Sequence, residues 1–226
     1  MKYTSVIFDL DGTLCDTLYD IHASLNSMLR ERGYPEHSFE HTKSGINRGS
    51  RYLIAHALPE GSREDEIDAA LEHYMKIYSE HVCDATVPYE GIIPLLYDLR
   101  RAGISLAVLS NKPDELVAVL AERLFHGMFA ITIGDALVDS GHDAYPKKPS
   151  PVAPLAIAHT FGTSPENVLL VGDSDVDIQT AHNAGMTAVG VTWGYRDPEV
   201  LILAGADHIV SAPADIYKII IEGETK

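Results

Sequence analysis

Cysteine is scarce in this sequence, and long apolar stretches are missing. The 226 residues include two cysteines, Cys15 and Cys83. Two cysteines cannot build the disulfide framework of a small secreted protein, so a reducing compartment is expected. No apolar run reaches the length that crosses a bilayer, and the N-terminus has no signal-peptide pattern. The sequence therefore predicts a cytoplasmic protein with no membrane partner.

Basic residues are also few. The chain has 17 Lys and Arg against 33 Asp and Glu, a formal net charge of −16 at pH 7. That balance does not suit the phosphate backbone of a nucleic acid, so no nucleic-acid partner is expected. The same field repels a small anionic substrate unless a metal ion or a local cation offsets it. Each well-placed lysine or arginine is therefore informative.

The opening stretch of the chain carries the first chemical signal. The apolar run 6–8 predicts a buried strand, and Asp9 and Asp11 follow it before Gly12 turns the chain. Alternate residues of an extended segment point the same way, so the two carboxylates can share one volume, which favours a cation between them. An ordinary Asp-rich turn is the alternative. Cys15 close by is expected to be buried and unreactive, because negative charge raises the pKa of a thiol.

The chain divides into two patterns. Residues 17–85 have helical periodicity, whereas strands alternate with helices from Val87 onward, which is typical of parallel βαβ units. We predict an α/β fold with a doubly wound parallel sheet, a core domain (1–16 and 86–226) and an inserted α-helical cap domain (17–85). The predicted core strands after the first are 105–109, 130–133, 168–171, 187–191 and 208–210, and the predicted core helices are 92–102, 114–124, 151–161, 177–184 and 213–222.

Polar residues follow three later strands or begin the helices between them. Ser110 and Asn111 end one strand, which suits a phosphate site but also an ordinary helix cap. Lys147 and Lys148 lie in a proline-stiffened segment, where a solvated loop is the alternative. The acidic segment 173–177 could bind Mg²⁺, or its carboxylates could simply favour a helix N-terminus.

In their order, these residues resemble the motifs of the haloacid dehalogenase (HAD) superfamily. The cap lies between the first and second motifs, as in the phosphoglycolate phosphatase-like branch. The resemblance implies a Rossmann-like core and phosphoryl transfer through an aspartyl-phosphate. It rests on Asp9-Leu10-Asp11-Gly12-Thr13, Ser110-Asn111, Lys148 before Pro149, and Gly172-Asp173-Ser174-x-x-Asp177, and it extends to 184–186 and 190–195.

The resemblance also implies roles for the four aspartates. Asp9 would be the nucleophile, and Asp11 the general acid that protonates the leaving alkoxide and then activates water. Mg²⁺ would be held by the Asp9 side chain, the Asp11 backbone carbonyl and Asp173. Asp177 would support the metal directly or through water.

By the same resemblance, three residues would hold the transferring phosphoryl group. These are Ser110, the Asn111 N–H and Lys148. Lys148 is chosen over Lys147 because it directly precedes the proline of the motif, and Lys147 stays the alternate.

The cap loop 44–51 suggests a further binding residue. Two glycines bracket Arg48 near the start of a predicted helix, where N–H groups could meet an anion. Arg48 could therefore attract a second anionic group of the substrate. The alternative is that Arg48 and Arg51 form a solvated helix face.

The expected function is Mg²⁺-dependent hydrolysis of a small phosphate monoester, with a phosphoglycolate-like substrate favoured. Asp11 favours a phosphatase over a dehalogenase, because halide release needs no acid. A phosphomutase of the β-phosphoglucomutase type is the alternative, although His22 lies one residue out of register with the cap histidine of those enzymes. A non-catalytic module on this fold is the alternative from another class. The expected oligomeric state is a monomer or homodimer.

Overall fold

The computed structural model describes residues 1–136 and 145–222. In these ranges a six-stranded parallel sheet has the order β5-β4-β1-β6-β7-β8. This arrangement confirms the predicted α/β fold class. Its strands are β1 (Ser5–Phe8), β4 (Ser105–Pro113), β5 (Ile131–Asp135), β6 (Val168–Gly172), β7 (Thr187–Val191) and β8 (His208–Val210).

Strand β1 lies at the centre of the sheet because its side chains are apolar on both faces. Val6 and Phe8 belong to one hydrophobic cluster, and Ile7 belongs to a second cluster on the opposite face. Its partners are in register, with Phe8 opposite Val108 on β4 and opposite Val171 on β6. Parallel strands buried on both faces need helices on both sides, which explains the continuous apolar runs of the core strands.

The helices follow the predicted pattern with several differences. The structure adds two short helices that the sequence analysis did not predict, and it begins the helix after β6 at Asp175 rather than 177. Six- and seven-residue helices carry too few turns for their periodicity to stand out. The helices are α1 (Leu18–Glu31), α2 (Phe39–Gly45), α3 (Ser50–Ala57), α4 (Glu64–His81), α5 (Ile92–Arg101), α6 (Asp114–Phe125), α7 (Val152–Thr160), α8 (Asp175–Asn183), α9 (Pro198–Leu203) and α10 (Pro213–Glu222).

Helices α1–α4, called the cap below, are joined to the rest of the chain by a small antiparallel ribbon. In this ribbon β2 (Cys15–Asp16) pairs with β3 (Val87–Pro88). The buried carboxylate of Asp20 fastens the ribbon to α1, because it accepts hydrogen bonds from the backbone N–H groups of Ala85 and Thr86 at 2.8–3.0 Å. The chain therefore enters and leaves the cap at neighbouring points.

The cap has its own apolar interior, continuous with one face of the core. Leu25, Met28 and Leu29 of α1 are buried, together with Tyr74 and Tyr78 of α4. The two tyrosine rings stack with centroids 5.3 Å apart. This packing holds α4 over the carboxyl ends of the strands, where its tyrosines reach the site described below. In the described part of the chain, no helix is both long and apolar enough to cross a membrane.

Candidate active site

The carboxyl edge of the sheet brings together residues that are far apart in sequence. Asp9 follows β1, and its backbone N–H donates to Val171 of β6 at 2.9 Å. Ser110 lies on β4, next to β1, and Asp173 follows β6 on the other side. Ligands of open α/β sheets bind beyond these strand ends. Between this edge and the cap lies a cleft, whose lining includes Asp9, Asp11, Asn47, Ser110, Lys112 and Lys148.

Lys148 lies between two buried carboxylates. Its Nζ donates to Asp9 Oδ1 at 2.7 Å and to Asp177 Oδ1 at 2.6 Å, and its side chain is 4% exposed. Burial acts to lower the pKa of Lys148, but the attraction of Asp177 and Asp9 is larger in sum and raises it. The ammonium is therefore a permanent positive charge at the centre of the acidic group.

Asp9 is buried, and Lys148 only partly offsets the effect of burial on its carboxyl group. Burial raises the pKa of Asp9 to about 7, Lys148 opposes the shift, and the charges of Asp177 and Asp11 add to it. Among the described residues, hydrogen bonds engage its Oδ1 and leave Oδ2 without a donor. One carboxylate oxygen of Asp9 can therefore meet a ligand in the cleft.

Asp173 lies in a tight cradle of backbone. Its Oδ2 accepts the Tyr195 N–H at 2.6 Å, and a Cβ on Gly12 would lie 2.3 Å from the same oxygen. Gly12 also has φ +85°, and a Cβ on Gly194 would lie 2.3 Å from Asp173 Cβ, so glycine is required at both positions. Burial raises the pKa of Asp173 well above its usual range, and repulsion from Asp9 and Asp177 adds to this.

Asp9, Asp173 and Asp177 can converge on a single cation. One oxygen from each lies within 4.8 Å of the others, and all three residues are buried. Burial, followed by repulsion from the neighbouring carboxylates, raises the pKa values of Asp9 and Asp173, so a bound cation would favour their charged forms. Carboxylate oxygens are the ligands that Mg²⁺ and Ca²⁺ prefer. The donor set therefore fits a hard divalent cation, with Asp177 the least available because Ser174 donates twice to its Oδ2.

Asp11 is held by a second network beside this group. Its Oδ1 accepts the Thr17 hydroxyl at 2.7 Å and the Lys112 ammonium at 3.0 Å. Lys112 Nζ also donates to the hydroxyl of Tyr78, and it lies 4.6 Å from the centroid of that ring. A core lysine thus connects Asp11 to helix α4 of the cap.

Ser110 and Asn111 occupy the end of β4. Ser110 Oγ lines the cleft and accepts the Lys112 N–H at 3.2 Å. The Asn111 side chain exchanges hydrogen bonds with the backbone of Lys148, at 2.9 Å to its N–H and 3.1 Å to its carbonyl. Asn111 therefore fixes the position of Lys148, in addition to the role expected of its own N–H.

The cap contacts the core through one loop and one arginine. Asn47 donates from its amide to Asp173 Oδ1 at 3.1 Å, and its carbonyl accepts from the Asn111 amide at 3.1 Å. From the core, Arg196 donates to the carbonyls of Lys43, Ser44 and Ile46 at 2.7–3.2 Å. These last carbonyls of α2 carry partial negative charge, which suits a cation. The described structure is therefore closed over the cleft.

Several candidates lie elsewhere. The half-exposed Arg48 lies 3.7 Å from Asp175 and is not among the cleft-lining residues of the described chain, so the expected approach to a substrate is not seen. Arg51 pairs with Glu64 and Asp68 on the surface, in line with the solvated alternative. Lys147 pairs with Asp135 at 2.8 Å.

His22 is neither isolated nor directed into the cleft. It bonds Thr42 Oγ1 at 2.9 Å and stacks on Phe39 with ring centroids 3.8 Å apart. Burial lowers its pKa. Cys15 is buried as expected, and burial followed by the charge of Asp11 raises its pKa.

The sequence analysis assigned no role to Lys112, Asn47 or Arg196. Lys112 directly follows Ser110-Asn111, and that position was a signal that could have identified it. Asn47 stands next to Arg48, and only the fold shows which of the two turns inward. Arg196 lies 150 to 153 residues from its three partners in the cap, so no local sequence pattern links them.

Comparison with known proteins agrees with this geometry. A family model described as "Haloacid dehalogenase-like hydrolase" matches residues 6–191. The chain belongs to this family. A phosphoglycolate phosphatase of Pseudomonas putida is 36% identical over 197 residues, which cover 84% of this chain and 70% of the relative. One from Chromobacterium violaceum is 32% identical over 225 residues, covering 97% of each chain.

The solved structures give the same result. A protein from Lactobacillus delbrueckii subsp. bulgaricus, provisionally assigned as a phosphoglycolate phosphatase, has a TM-score of 0.90 at 32% identity and covers 99% of this chain and 100% of its own. The family resemblance found in the sequence is therefore confirmed. Because its curated relatives are phosphatases and the family model matches, the chain is an enzyme, a phosphoric monoester hydrolase of the HAD family.

Proposed function

We propose that this enzyme is a Mg²⁺-dependent phosphatase that hydrolyses a small phosphate monoester through an aspartyl-phosphate on Asp9. The observation that carries the proposal is the buried group of Asp9, Lys148 and Asp173, with Asp11 held separately beside it. Two carboxylates with different partners suit two different roles. The division into a core (1–16 and 86–226) and a cap (17–85) is part of the same proposal, because the ribbon lies at that boundary.

In the first step, Asp9 Oδ2 attacks phosphorus and the bond to the ester oxygen breaks. Asp11 gives its proton to that oxygen, so the alcohol leaves neutral. Lys148, Ser110 and the Asn111 N–H hold the phosphoryl oxygens, where fixed positive groups stabilise the transition state. In the second step, Asp11 takes a proton from water, and the water oxygen attacks phosphorus and frees both Asp9 and phosphate.

The residues proposed to hold Mg²⁺ are the Asp9 side chain, the Asp11 backbone carbonyl and Asp173, with Asp177 in support. When bound, Mg²⁺ supplies positive charge to the phosphate and to the carboxylates. The geometry supports this assignment, because one oxygen each of Asp9, Asp173 and Asp177 lies within 4.8 Å of the others and all three residues are buried.

The cleft supports a small substrate. Its cap side includes the apolar or aromatic side chains of Ile21, Leu53 and Tyr74, which offer few partners to the hydroxyl groups of a sugar. The names of the relatives favour phosphoglycolate. The environment of His22 supports a phosphatase over a mutase, since its ring is engaged by Thr42 and Phe39.

The test is phosphate release from a panel of phosphorylated metabolites, with Mg²⁺ and with EDTA. We expect hydrolysis of phosphoglycolate that needs Mg²⁺, and a ³²P-labelled protein intermediate after acid quench. Asp9→Asn should lose several orders of magnitude in kcat, because a neutral amide cannot attack phosphorus. Wild-type activity in EDTA, or an Asp9→Asn variant with near-normal turnover, would contradict the proposal.

A further inference from the structure

Lys112 is a buried cation in the cleft that the proposed chemistry does not use. Its side chain is 3% exposed. Of the described residues that line the cleft, Lys112 and Lys148 alone are Lys or Arg. Lys148 is committed to Asp9 and Asp177. Lys112 is therefore the cation that a second anionic group of a bound substrate would meet.

The hydrogen bonds of Lys112 leave it capacity for a ligand. An ammonium has three N–H donors. The hydrogen bonds of the described residues use two of them, one to Asp11 Oδ1 and one to the Tyr78 hydroxyl. Burial raises the pKa of Tyr78 well above its usual range, so that hydroxyl stays neutral and does not cancel the charge of Lys112.

The position of Lys112 fixes the type of substrate that would reach it. Its Nζ is 3.0 Å from the carboxylate proposed to protonate the ester oxygen. A substrate group that contacts both the Asp11 carboxyl group and the Lys112 ammonium must lie close to the ester oxygen. A carboxylate one methylene beyond the ester oxygen meets this condition.

We propose that Lys112 is the specificity-determining residue of this enzyme, binding the carboxylate of a phosphate ester of a 2-hydroxy acid. This inference rests on the proposed function. It assigns to Lys112 the second-anion role that the sequence suggested for Arg48. Because a cation near the cleft of a chain of net charge −16 also offsets the repulsion of anions, Lys112 serves both attraction and selection.

The test compares phosphoglycolate with its carboxamide analogue, which keeps the shape and the leaving group but not the charge. The wild-type enzyme should prefer phosphoglycolate by about 10- to 100-fold in kcat/KM, the usual contribution of a charged hydrogen bond. In Lys112→Met this preference should fall to about one, because activity on phosphoglycolate should fall further than activity on the carboxamide, whereas any effect through Asp11 is common to both substrates. The pairing of a protein change with a substrate change removes any effect common to both substrates.

Lys76→Met is the matched control, because Lys76 lies exposed on the same helix as Tyr78. It removes the same charge and should keep the wild-type preference. If circular dichroism shows that Lys112→Met is unfolded, Lys112→Gln replaces it with the same expected result.

Each outcome decides between alternatives. Equal losses on both substrates, with the preference unchanged, would mean that Lys112 acts only by positioning Asp11, and would overturn the inference. A wild-type enzyme that hydrolyses both substrates equally well would overturn it too, while leaving the proposed function intact. A wild-type enzyme that hydrolyses neither would overturn the inference, and it would remove the proposed function as well only if no other phosphate ester of the panel is hydrolysed.

Discussion

Asp173→Asn should abolish the stabilisation of the protein by Mg²⁺ without lowering its stability in the absence of the metal. The change keeps the shape of the side chain and an oxygen that can accept the Tyr195 N–H, now at 2.6 Å. It removes one charge from a buried group whose members repel each other. The new amide replaces Oδ1, which accepts the Asn47 side-chain N–H at 3.1 Å. A flip of the Asn47 amide would present its Oδ1, which is buried and has no partner among the described residues, to the new donor.

The magnitude follows from binding linkage. At a Mg²⁺ concentration a hundredfold above Kd, binding stabilises the folded state by about 2.7 kcal/mol. For a chain of this size, 1 kcal/mol shifts Tm by roughly 2–4 °C. Mg²⁺ should therefore raise the Tm of the wild type by about 5–11 °C. Asp173→Asn should lose this shift, and its Tm in EDTA should equal or exceed that of the wild type.

The pH dependence has a definite sign. The folded-state pKa of Asp173 lies above its usual value of 3.8, so the metal-free folded protein holds this proton more tightly than the unfolded chain does. The associated stability is present below pH 3.8 and is lost as pH rises. In EDTA, the Tm of Asp173→Asn relative to the wild type should therefore increase from about pH 4 upward.

Differential scanning fluorimetry in EDTA and in a Mg²⁺ titration measures these quantities. Asp175→Asn is the matched control, since Asp175 is a neighbouring acid that pairs with Arg48 at 3.7 Å and is not in the carboxylate group. It should keep the full Mg²⁺ shift. A wild type that Mg²⁺ does not stabilise, or an Asp173→Asn variant that keeps the shift, would refute the reasoning.

Two further changes test other parts of the site. Asp11→Asn should lose about 10²–10⁴-fold in turnover of a poor leaving group. Rapid-quench measurement of phosphoenzyme formation should show a smaller loss with p-nitrophenyl phosphate, and equal losses would count against Asp11 as the acid. Arg196→Ala removes three contacts to the cap and should raise KM more than it lowers kcat, because the closed state becomes less populated. Unchanged steady-state constants would show that Arg196 does not hold the cap.

The core could be predicted from the sequence because the composition of a single strand shows whether it is buried on both faces. The run 6–8 is apolar on both faces, which requires neighbours on both sides and therefore a buried parallel strand. The family resemblance, which assigned Asp9 and Asp173 to one Mg²⁺, predicted that these two residues would lie together. Helix α2 and the ribbon were not predictable, because seven and two residues are too short for a periodic signal.

The cap side of the site depended on long-range packing. Nothing in the order Asn47-Arg48 indicates which side chain turns toward the cleft. In the structure Asn47 has φ +83°, and its side chain is the one that contacts Asp173. The link from Tyr78 to Lys112 joins residues 34 apart through the docking of α4 on the strand ends. The roles proposed for the site residues, the cytoplasmic location and the oligomeric state stay predictions.

The ribbon at the base of the cap has a consequence for the topology of the chain. Asp16 lies opposite Val87 in an antiparallel pair, so the two ends of the intervening 70-residue excursion are already side by side, as the pairing register records. A two-residue turn is the natural connection between such strands. Excising the excursion and closing the gap with Asn-Gly would therefore convert the ribbon into an ordinary β-hairpin, and the order of the six core strands would need no rearrangement. These 70 of the 226 residues are, in this sense, a removable insertion between two paired strands.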